Sequence, residues 1–201
     1  NYNLQLAKAV KTKYPDCIIV FGGPGVPDAD ADFFITHPWV DYLIHTEGEQ
    51  SFANLLETLL KGPCKSHISI PSNRTKSLDT IPSPYLSGVF DSVLAEARDQ
   101  RVIINALLET NRGCPFKCTF CDWGGLTFSK IHCFDLERIK QEITWLGKNQ
   151  IEMLSLADAN FGIFPDRDLE IAQWAIKIKQ EYGFPKYFDT SWTKNTKPET
   201  I

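Results

Sequence analysis

Three cysteines in the middle of the chain are the residues best suited to chemistry. Cys114, Cys118 and Cys121 follow the spacing C-x3-C-x2-C. Gly113 and Pro115 disfavour a regular helix across the first of them, so a loop is predicted. A loop can turn three sulfur atoms toward one point, and gathered thiolates are soft ligands for an iron–sulfur cluster or zinc. Three thiolates on a four-iron cubane would leave the fourth iron open to a small molecule.

Three other interpretations of these cysteines stay open. Zinc requires a fourth protein ligand, and His132 and Cys133 are the nearest candidates. A disulfide with a spare thiol would suit a secreted protein, and three unrelated structural cysteines would need no ligand. The tight spacing, without a fourth cysteine in the same run, favours the cluster.

The composition of the 201 residues is that of a globular protein, with 43% hydrophobic and 23% charged residues. This length allows one large domain or two small ones. A net charge of −4 argues against a broad nucleic-acid or membrane-surface footprint. No run approaches the ~18 apolar residues of a spanning helix, and no signal peptide opens the chain. Six cysteines without a disulfide framework fit a reducing cytosol, so we expect a cytoplasmic protein.

The first third of the chain alternates helices and strands, which predicts a doubly wound α/β fold. Apolar spacing predicts helices over 2–13, 30–36 and 52–59, and strands over 17–21 and 40–45. Glycines directly after a strand allow a ligand to approach the backbone at the carboxyl edge of such a sheet. Gly22 and Gly23 follow the first strand, whereas Glu47 and Gly48 follow the second.

Residues 63–98 are predicted to form a connector, because prolines and serines exclude long regular elements in its first part. A short helix is predicted over 90–97. Beyond it, strands over 102–109, 153–157 and 187–193 alternate with two helices, which begin at the N-caps Asp135 and Asp166. This βαβαβ order predicts the opening of a (β/α) barrel, whose reactive groups gather at the carboxyl ends of the strands. The groups there are the three cysteines, then Asp158 and Asn160, then Trp192, Lys194 and Asn195.

The cysteine run, with Phe120 directly before its last cysteine, resembles the radical S-adenosylmethionine (SAM) enzymes. The strands and glycines of the first third resemble the C-terminal half of the Rossmann-like (flavodoxin-like) cobalamin-binding domain that precedes many radical SAM domains. The resemblance covers nearly all of the chain. It implies a partial cobalamin-binding domain (1–62), a linker (63–98) and the first βα units of a partial (β/α)6 radical SAM barrel (99–201). The chain is therefore expected to be a segment spanning a domain junction.

The resemblance also implies roles for individual residues. Cys114, Cys118 and Cys121 would hold three irons of a [4Fe-4S] cluster, and the open iron would bind SAM. Phe120 would lie near the SAM adenine, and Asp158 and Asn160 near its ammonium group, where the family often has a Gly-Gly-Glu-like stretch instead. The residues that would lie beside the cobalamin are Gly22, Gly23, Glu47 and Gly48. The family's Asp-x-His-x-x-Gly motif is absent from the sequence.

The activity implied by the resemblance is reductive cleavage of SAM to a 5′-deoxyadenosyl radical, used to methylate an unactivated carbon or phosphorus of a small molecule. A cobalamin-dependent cyclase or oxidoreductase without methylation is the first alternative. A zinc-stabilised binding module without turnover is the second. Reduced flavodoxin or ferredoxin is the expected electron donor, which Arg112 and Lys117 would steer by their charge.

Overall fold

The computed structural model describes residues 2–23, 25–27, 31–62, 66–71, 74–121 and 130–194. The chain divides into two compact units, Asn1–Lys76 and Ser77–Ile201. Each unit contains a three-stranded parallel sheet with helices between its strands, so the predicted α/β class is confirmed. Asn195 lies outside the described residues. Within the described ranges, no helix is both long enough and apolar enough to cross a membrane.

The first unit is a parallel sheet with its middle strand buried. Its elements are helix α1 (Tyr2–Lys13), strand β1 (Val20–Gly22), helix α2 (Ala31–Thr36), strand β2 (Tyr42–Ile44), helix α3 (Glu49–Leu60) and strand β3 (Ile68–Ile70). The strand order is β1-β2-β3, and Tyr42 pairs with Val20 on one side and Ile68 on the other. All three residues of β2 are buried, as expected for the central strand of a covered parallel sheet.

Two features of this unit differ from the sequence-based expectation. The first strand begins at Val20 rather than Cys17, because the Asp41 carboxylate accepts the Ile19 amide (2.7 Å) and so replaces a ladder bond there. Strand β3 was not predicted. It lies in the stretch expected to lack long regular elements, and its three residues are too few to show a periodic pattern.

The second unit has the predicted βαβαβ order. Its central elements are strand β4 (Asn105–Leu108), helix α5 (Leu136–Lys148), strand β7 (Met153–Leu156), helix α6 (Pro165–Tyr182) and strand β8 (Tyr187–Asp189). A 3-10 helix (Leu78–Thr80) and helix α4 (Asp91–Asp99) precede them, and two short strands, β5 (Asn111–Arg112) and β6 (His132–Cys133), form a separate antiparallel pair. The parallel sheet has the order β4-β7-β8.

The core of this unit lies between the sheet and helices α5 and α6. Its fully buried members include Ile139, Ile143, Leu146, Leu154 and Ile171. Leu78 and Leu94, from the stretch predicted as a connector, belong to the same core. The domain limits at residues 62 and 99 stay a prediction, and the division of the structure itself falls between residues 76 and 77.

The two long helices begin in different ways. The carboxylate of Asp135 accepts the amides of Glu137 (3.0 Å) and Arg138 (3.1 Å), so the predicted N-cap of α5 is confirmed. The predicted cap of α6 at Asp166 is wrong. Pro165 is the first helical residue, a position that suits its fixed φ, and the buried Asp168 instead accepts the amide of Gly162 (2.8 Å) ahead of the helix.

Helix α5 packs tightly against the side chains and carbonyl that face Gly147. A Cβ added there would lie 2.3 Å from Ile178 Cγ2 and 3.2 Å from the carbonyl oxygen of Phe184. Glycine is therefore the only residue that fits at this position without displacing the neighbouring helix.

Gly147→Ala is expected to destabilise the second unit by about 1 kcal/mol net, because overpacking costs about 1–3 kcal/mol and alanine's helix propensity returns up to about 1 kcal/mol. Urea denaturation followed by the fluorescence of Trp145 and Trp174 on these helices measures the loss. Lys148→Ala, at the exposed next position, is the control and should change stability by less than about 0.5 kcal/mol. Equal denaturation midpoints for the two variants would contradict the close approach.

Candidate cofactor site at the carboxyl edge of the second sheet

The predicted site residues of the second unit follow the carboxyl ends of its three parallel strands. Thr110 and the cysteine loop follow β4, Asp158 and Asn160 follow β7, and Lys194 follows β8. Parallel strands end at a common edge, so the fold brings these groups together from three separate parts of the sequence.

Strands β5 and β6 pair the two ends of the cysteine loop. These paired ends, residues 110–112 and 132–134, are called the neck of the loop below. Asn111 pairs with Cys133 and Arg112 with His132. The Phe134 amide also donates to the Thr110 carbonyl (3.0 Å). The two ends of the cysteine loop are therefore paired with each other. Asp122, Trp123 and Gly124 of the loop lie outside the described residues.

Asp158 is the buried centre of this neck. One carboxylate oxygen accepts the amides of Thr110 (2.7 Å) and Asn111 (3.1 Å). The other accepts Asn111 Nδ2 (2.9 Å) and the Thr110 hydroxyl. Four donors thus converge on one carboxylate that is 2% exposed. Asp158 therefore fixes the backbone that leads into Cys114.

Arg167, from α6, crosses the neck from the other side. Its Nη2 donates to the carbonyl oxygens of Thr110 (2.9 Å) and Phe134 (3.1 Å), which stand on the two opposite ends of the loop. Its Nη1 reaches Thr110 Oγ1 (3.3 Å) and the neighbouring Asp168 (3.3 Å). The neck is therefore joined by backbone pairing and by one guanidinium.

The three cysteines are thiols outside any disulfide. Cys114 is buried, whereas Cys118 and Cys121 are half-buried and joined by a turn, since the Cys121 amide donates to the Cys118 carbonyl (3.2 Å). Asn160 Nδ2 lies 3.2 Å from the Cys114 sulfur, and Lys194 Nζ lies 2.7 Å from the Cys118 sulfur. Two of the three sulfurs thus accept an N–H hydrogen bond from a neighbouring strand end.

The donor set suits an iron–sulfur cluster better than zinc. Three thiols share one short loop, and N–H donors at the sulfurs are among the contacts that tune such clusters. Zinc needs a fourth ligand, and within the described ranges the structure does not bring His132 or Cys133 together with the loop cysteines into a metal-binding group. Among the described residues, the structure does not gather three His, Cys, Asp or Glu side chains into one metal-binding group.

Comparison with known proteins places the chain among enzymes of one kind. It is 41% identical over 207 residues to 2-(S-pantetheinyl)-carbapenam-3-carboxylate methyltransferase from Streptantibioticus cattleyicolor, covering 96% of the chain and 30% of that protein. It is 41% identical over 208 residues to the cobalamin-dependent radical SAM methyltransferase TokK from Streptomyces tokunonensis, with the same coverage. No family model matches the chain.

The chain belongs to the cobalamin-dependent radical SAM proteins. It spans 30% of the length of each of these two relatives. Its fold is similar to that of the radical SAM methyltransferase TsrM from Kitasatospora setae, solved with cobalamin and a [4Fe-4S] cluster bound, with a TM-score of 0.57. That match covers 91% of the chain and 38% of TsrM at 13% identity.

Phe120 stands apart from the core of this radical SAM protein. Its side chain is 86% exposed, and the ammonium of Lys194 lies 5.6 Å from its ring centre and 5.4 Å from that of Phe116. The hydrogen bond to Cys118 raises the pKa of Lys194. Phe120 therefore offers an open aromatic face beside the cysteines.

The residues predicted on the cobalamin side lie in the first unit. Gly22 ends β1, and Gly23 has a φ of +90°, which only glycine adopts readily. Gly22 also lines an open cleft of about 710 Å³. The Glu47 carboxylate binds the Thr75 amide (2.7 Å) and lies 3.5 Å from Arg74 Nε, whereas Gly48 has an ordinary helical φ of −89°.

The sequence analysis missed three residues that organise the site. Thr110 and Asn111 lie directly after β4, so the rule that singled out Asp158 could also have found them. Arg167 lies inside a helix, and nothing in the local sequence distinguishes it from a solvated arginine.

Asp158→Asn is expected to alter the pH dependence of stability. Burial raises the pKa of Asp158 from its ordinary 3.8, against the hydrogen bonds from Thr110 and Asn111 and the charge of Arg167. A carboxyl with a raised folded-state pKa contributes stability that is complete below its unfolded pKa and is lost as pH rises through its folded pKa. The difference in unfolding free energy, wild type minus variant, should therefore fall as pH rises above about 3.8. Urea denaturation of both proteins in buffers of different pH measures this difference. A difference that rises with pH would contradict the raised pKa of Asp158.

Arg167→Met is expected to loosen the neck, because it keeps the aliphatic stem but removes charged hydrogen bonds worth about 1.5–3 kcal/mol each. The Phe134 amide, bonded to the Thr110 carbonyl, should then exchange its hydrogen faster. Hydrogen–deuterium exchange measures this. Arg98→Met is the control, since exposed Arg98 binds only Asn149 among the described residues. Unchanged exchange at Phe134 would show that Arg167 does not hold the neck.

Proposed function

We propose that the protein holds a [4Fe-4S] cluster through Cys114, Cys118 and Cys121 and uses it with SAM and cobalamin to methylate a small molecule. The observation that carries this proposal is the C-x3-C-x2-C loop at the carboxyl edge of a parallel sheet, with N–H donors at two of its sulfurs. When bound, the cluster supplies the electron for reductive cleavage of SAM to a 5′-deoxyadenosyl radical, and cobalamin carries the methyl group.

The chain's own residues position and enclose this site. Asp158 already accepts four hydrogen bonds, so it acts on the SAM site through the neck that it orders. Asn160, buried beside Cys114, is the better group to meet the SAM ammonium, since its amide oxygen can accept from it. Phe120 provides the aromatic face for the adenine.

The two sheets correspond, in this proposal, to two cofactor domains. The first unit is the C-terminal half of a Rossmann-like cobalamin-binding domain, with Gly22, Gly23, Glu47 and Gly48 on the cobalamin side. Of these, Gly22 and Gly23 have the stronger support, because they border the cleft or require glycine. The second unit opens a partial (β/α)6 barrel. Its βαβαβ order and parallel register support that assignment.

Methyl transfer to an unactivated carbon or phosphorus is the proposed reaction, supported by the methyltransferase names of both relatives. Reduced flavodoxin or ferredoxin is the proposed electron donor. Lys117 is exposed on the cysteine loop and suits an acidic partner. Arg112 suits it less, because its guanidinium already binds the Glu109 carboxylate at 2.8 and 2.9 Å.

Removal of any one loop cysteine is expected to abolish cluster assembly. After anaerobic reconstitution with iron and sulfide, the wild-type protein should hold about four irons and four sulfides per chain and show a brown chromophore. Cys114→Ala, Cys118→Ala and Cys121→Ala should each lose them.

Cys133→Ala is the matched control, because Cys133 is a thiol at the neck of the same loop but not a proposed ligand. It should keep the full iron content. One zinc per chain and no sulfide would identify the zinc-stabilised module instead.

With SAM labelled in its methyl group, label in the product supports methyl transfer, whereas an unlabelled product indicates the cyclase or oxidoreductase alternative.

A further inference from the structure

Lys194 places a positive charge in contact with a proposed cluster ligand. Its ammonium lies 2.7 Å from the Cys118 sulfur. It also lies 5.4 Å from the ring centre of Phe116 and 5.6 Å from that of Phe120. Two aromatic rings and one sulfur thus contact the cation of an otherwise exposed side chain, and within the described residues no carboxylate pairs with it.

The backbone before Lys194 is anchored to the end of β7. The Phe161 amide donates to the Ser191 carbonyl (2.8 Å), and the Thr193 amide donates to the Phe161 carbonyl (2.8 Å). Phe161 itself is 1% exposed and packs edge-on against Trp192. The backbone position of Lys194 is therefore fixed at the sheet edge. This position determines how far its side chain can extend toward the cysteine loop.

Asn160 makes the corresponding contact with Cys114 but carries no charge. Its Nδ2 donates to that sulfur at 3.2 Å from a buried position. The two contacts therefore differ in kind: one supplies a hydrogen bond, and the other a hydrogen bond together with a full positive charge.

We infer that Lys194 is a positioning residue that sets the reduction potential of the cluster through Cys118, an inference that rests on the proposed function. Reduction adds one negative charge to the cluster and its thiolates. A cation at a ligand sulfur stabilises the reduced form more than the oxidised form, so it makes the potential less negative. Lys194 thereby makes the cluster easier for an external donor to reduce.

The test compares three replacements of Lys194 in the cluster-loaded protein. Lys194→Met removes charge and donor, Lys194→Gln keeps a donor without charge, and Lys194→Arg keeps both. Midpoint potentials are measured without SAM by anaerobic redox titration, with the electron paramagnetic resonance signal of the reduced cluster as readout. We expect a more negative midpoint for the Met and Gln variants, largest for Met, and a midpoint close to wild type for Arg.

Lys117→Met is the matched control, since it removes the same charge from an exposed position on the same loop. It should shift the midpoint less than Lys194→Met. Equal midpoints for wild type and Lys194→Met, or equal shifts in the two Met variants, would overturn the inference. If the Met variant does not assemble a cluster, the Gln and Arg variants decide. Cluster loss in all three Lys194 variants would overturn a tuning role and show a structural one. A wild-type protein without any cluster would contradict the proposed function itself.

Discussion

The site depends on one buried carboxylate that lies between two strand ends. Asp158 accepts the backbone amides of Thr110 and Asn111 in a region closed to water, where each bond is stronger and each missing bond more costly than at the surface. Burial alone would favour its neutral form, and the converging donors with Arg167 oppose that preference. The hydrogen bonds to this carboxylate fix the direction in which the chain leaves β4, and hence where the cysteine loop starts.

Hydrogen bonds from side chains to the backbone also hold the rest of the carboxyl edge. Arg167 and Asp168 are consecutive residues of α6, yet one bridges the neck and the other accepts the amide of Gly162 after β7. The helix is held against the sheet by Ile171, Ala175 and Ile178, so apolar packing on one face fixes polar contacts at its start. Core and site are therefore parts of one arrangement rather than independent features.

Much of this architecture could be predicted from the sequence. The alternation of strands and helices in the second unit and the cap at Asp135 are local patterns, and each was expected from residue type and periodicity. The α/β class followed from alternation alone. These predictions succeeded because the signal for each element lies within the element itself.

Other features could not be predicted, for physical reasons. Strands β3, β5 and β6 have two or three residues, too few for a period to appear. Arg167 binds two carbonyl oxygens that are remote in sequence, and carbonyls carry no residue-specific signal. The expectation for Asp166 followed the general capping preference, but the helix starts at Pro165, two residues earlier than a cap at Asp166 implies. The contact of Lys194 with Cys118 joins residues that only the folded sheet brings together.

The paired neck has a consequence for the assembly of the loop. Residues 111 and 133 are already ladder partners, so the entropy of bringing the two ends together is offset by the fold and not by the bound group. For a segment of this size that term is on the order of 2–3 kcal/mol. A ligand entering the loop therefore meets a ring whose two ends are already paired. Sequence length within that ring can vary at small thermodynamic cost, because closure depends weakly on the number of residues enclosed.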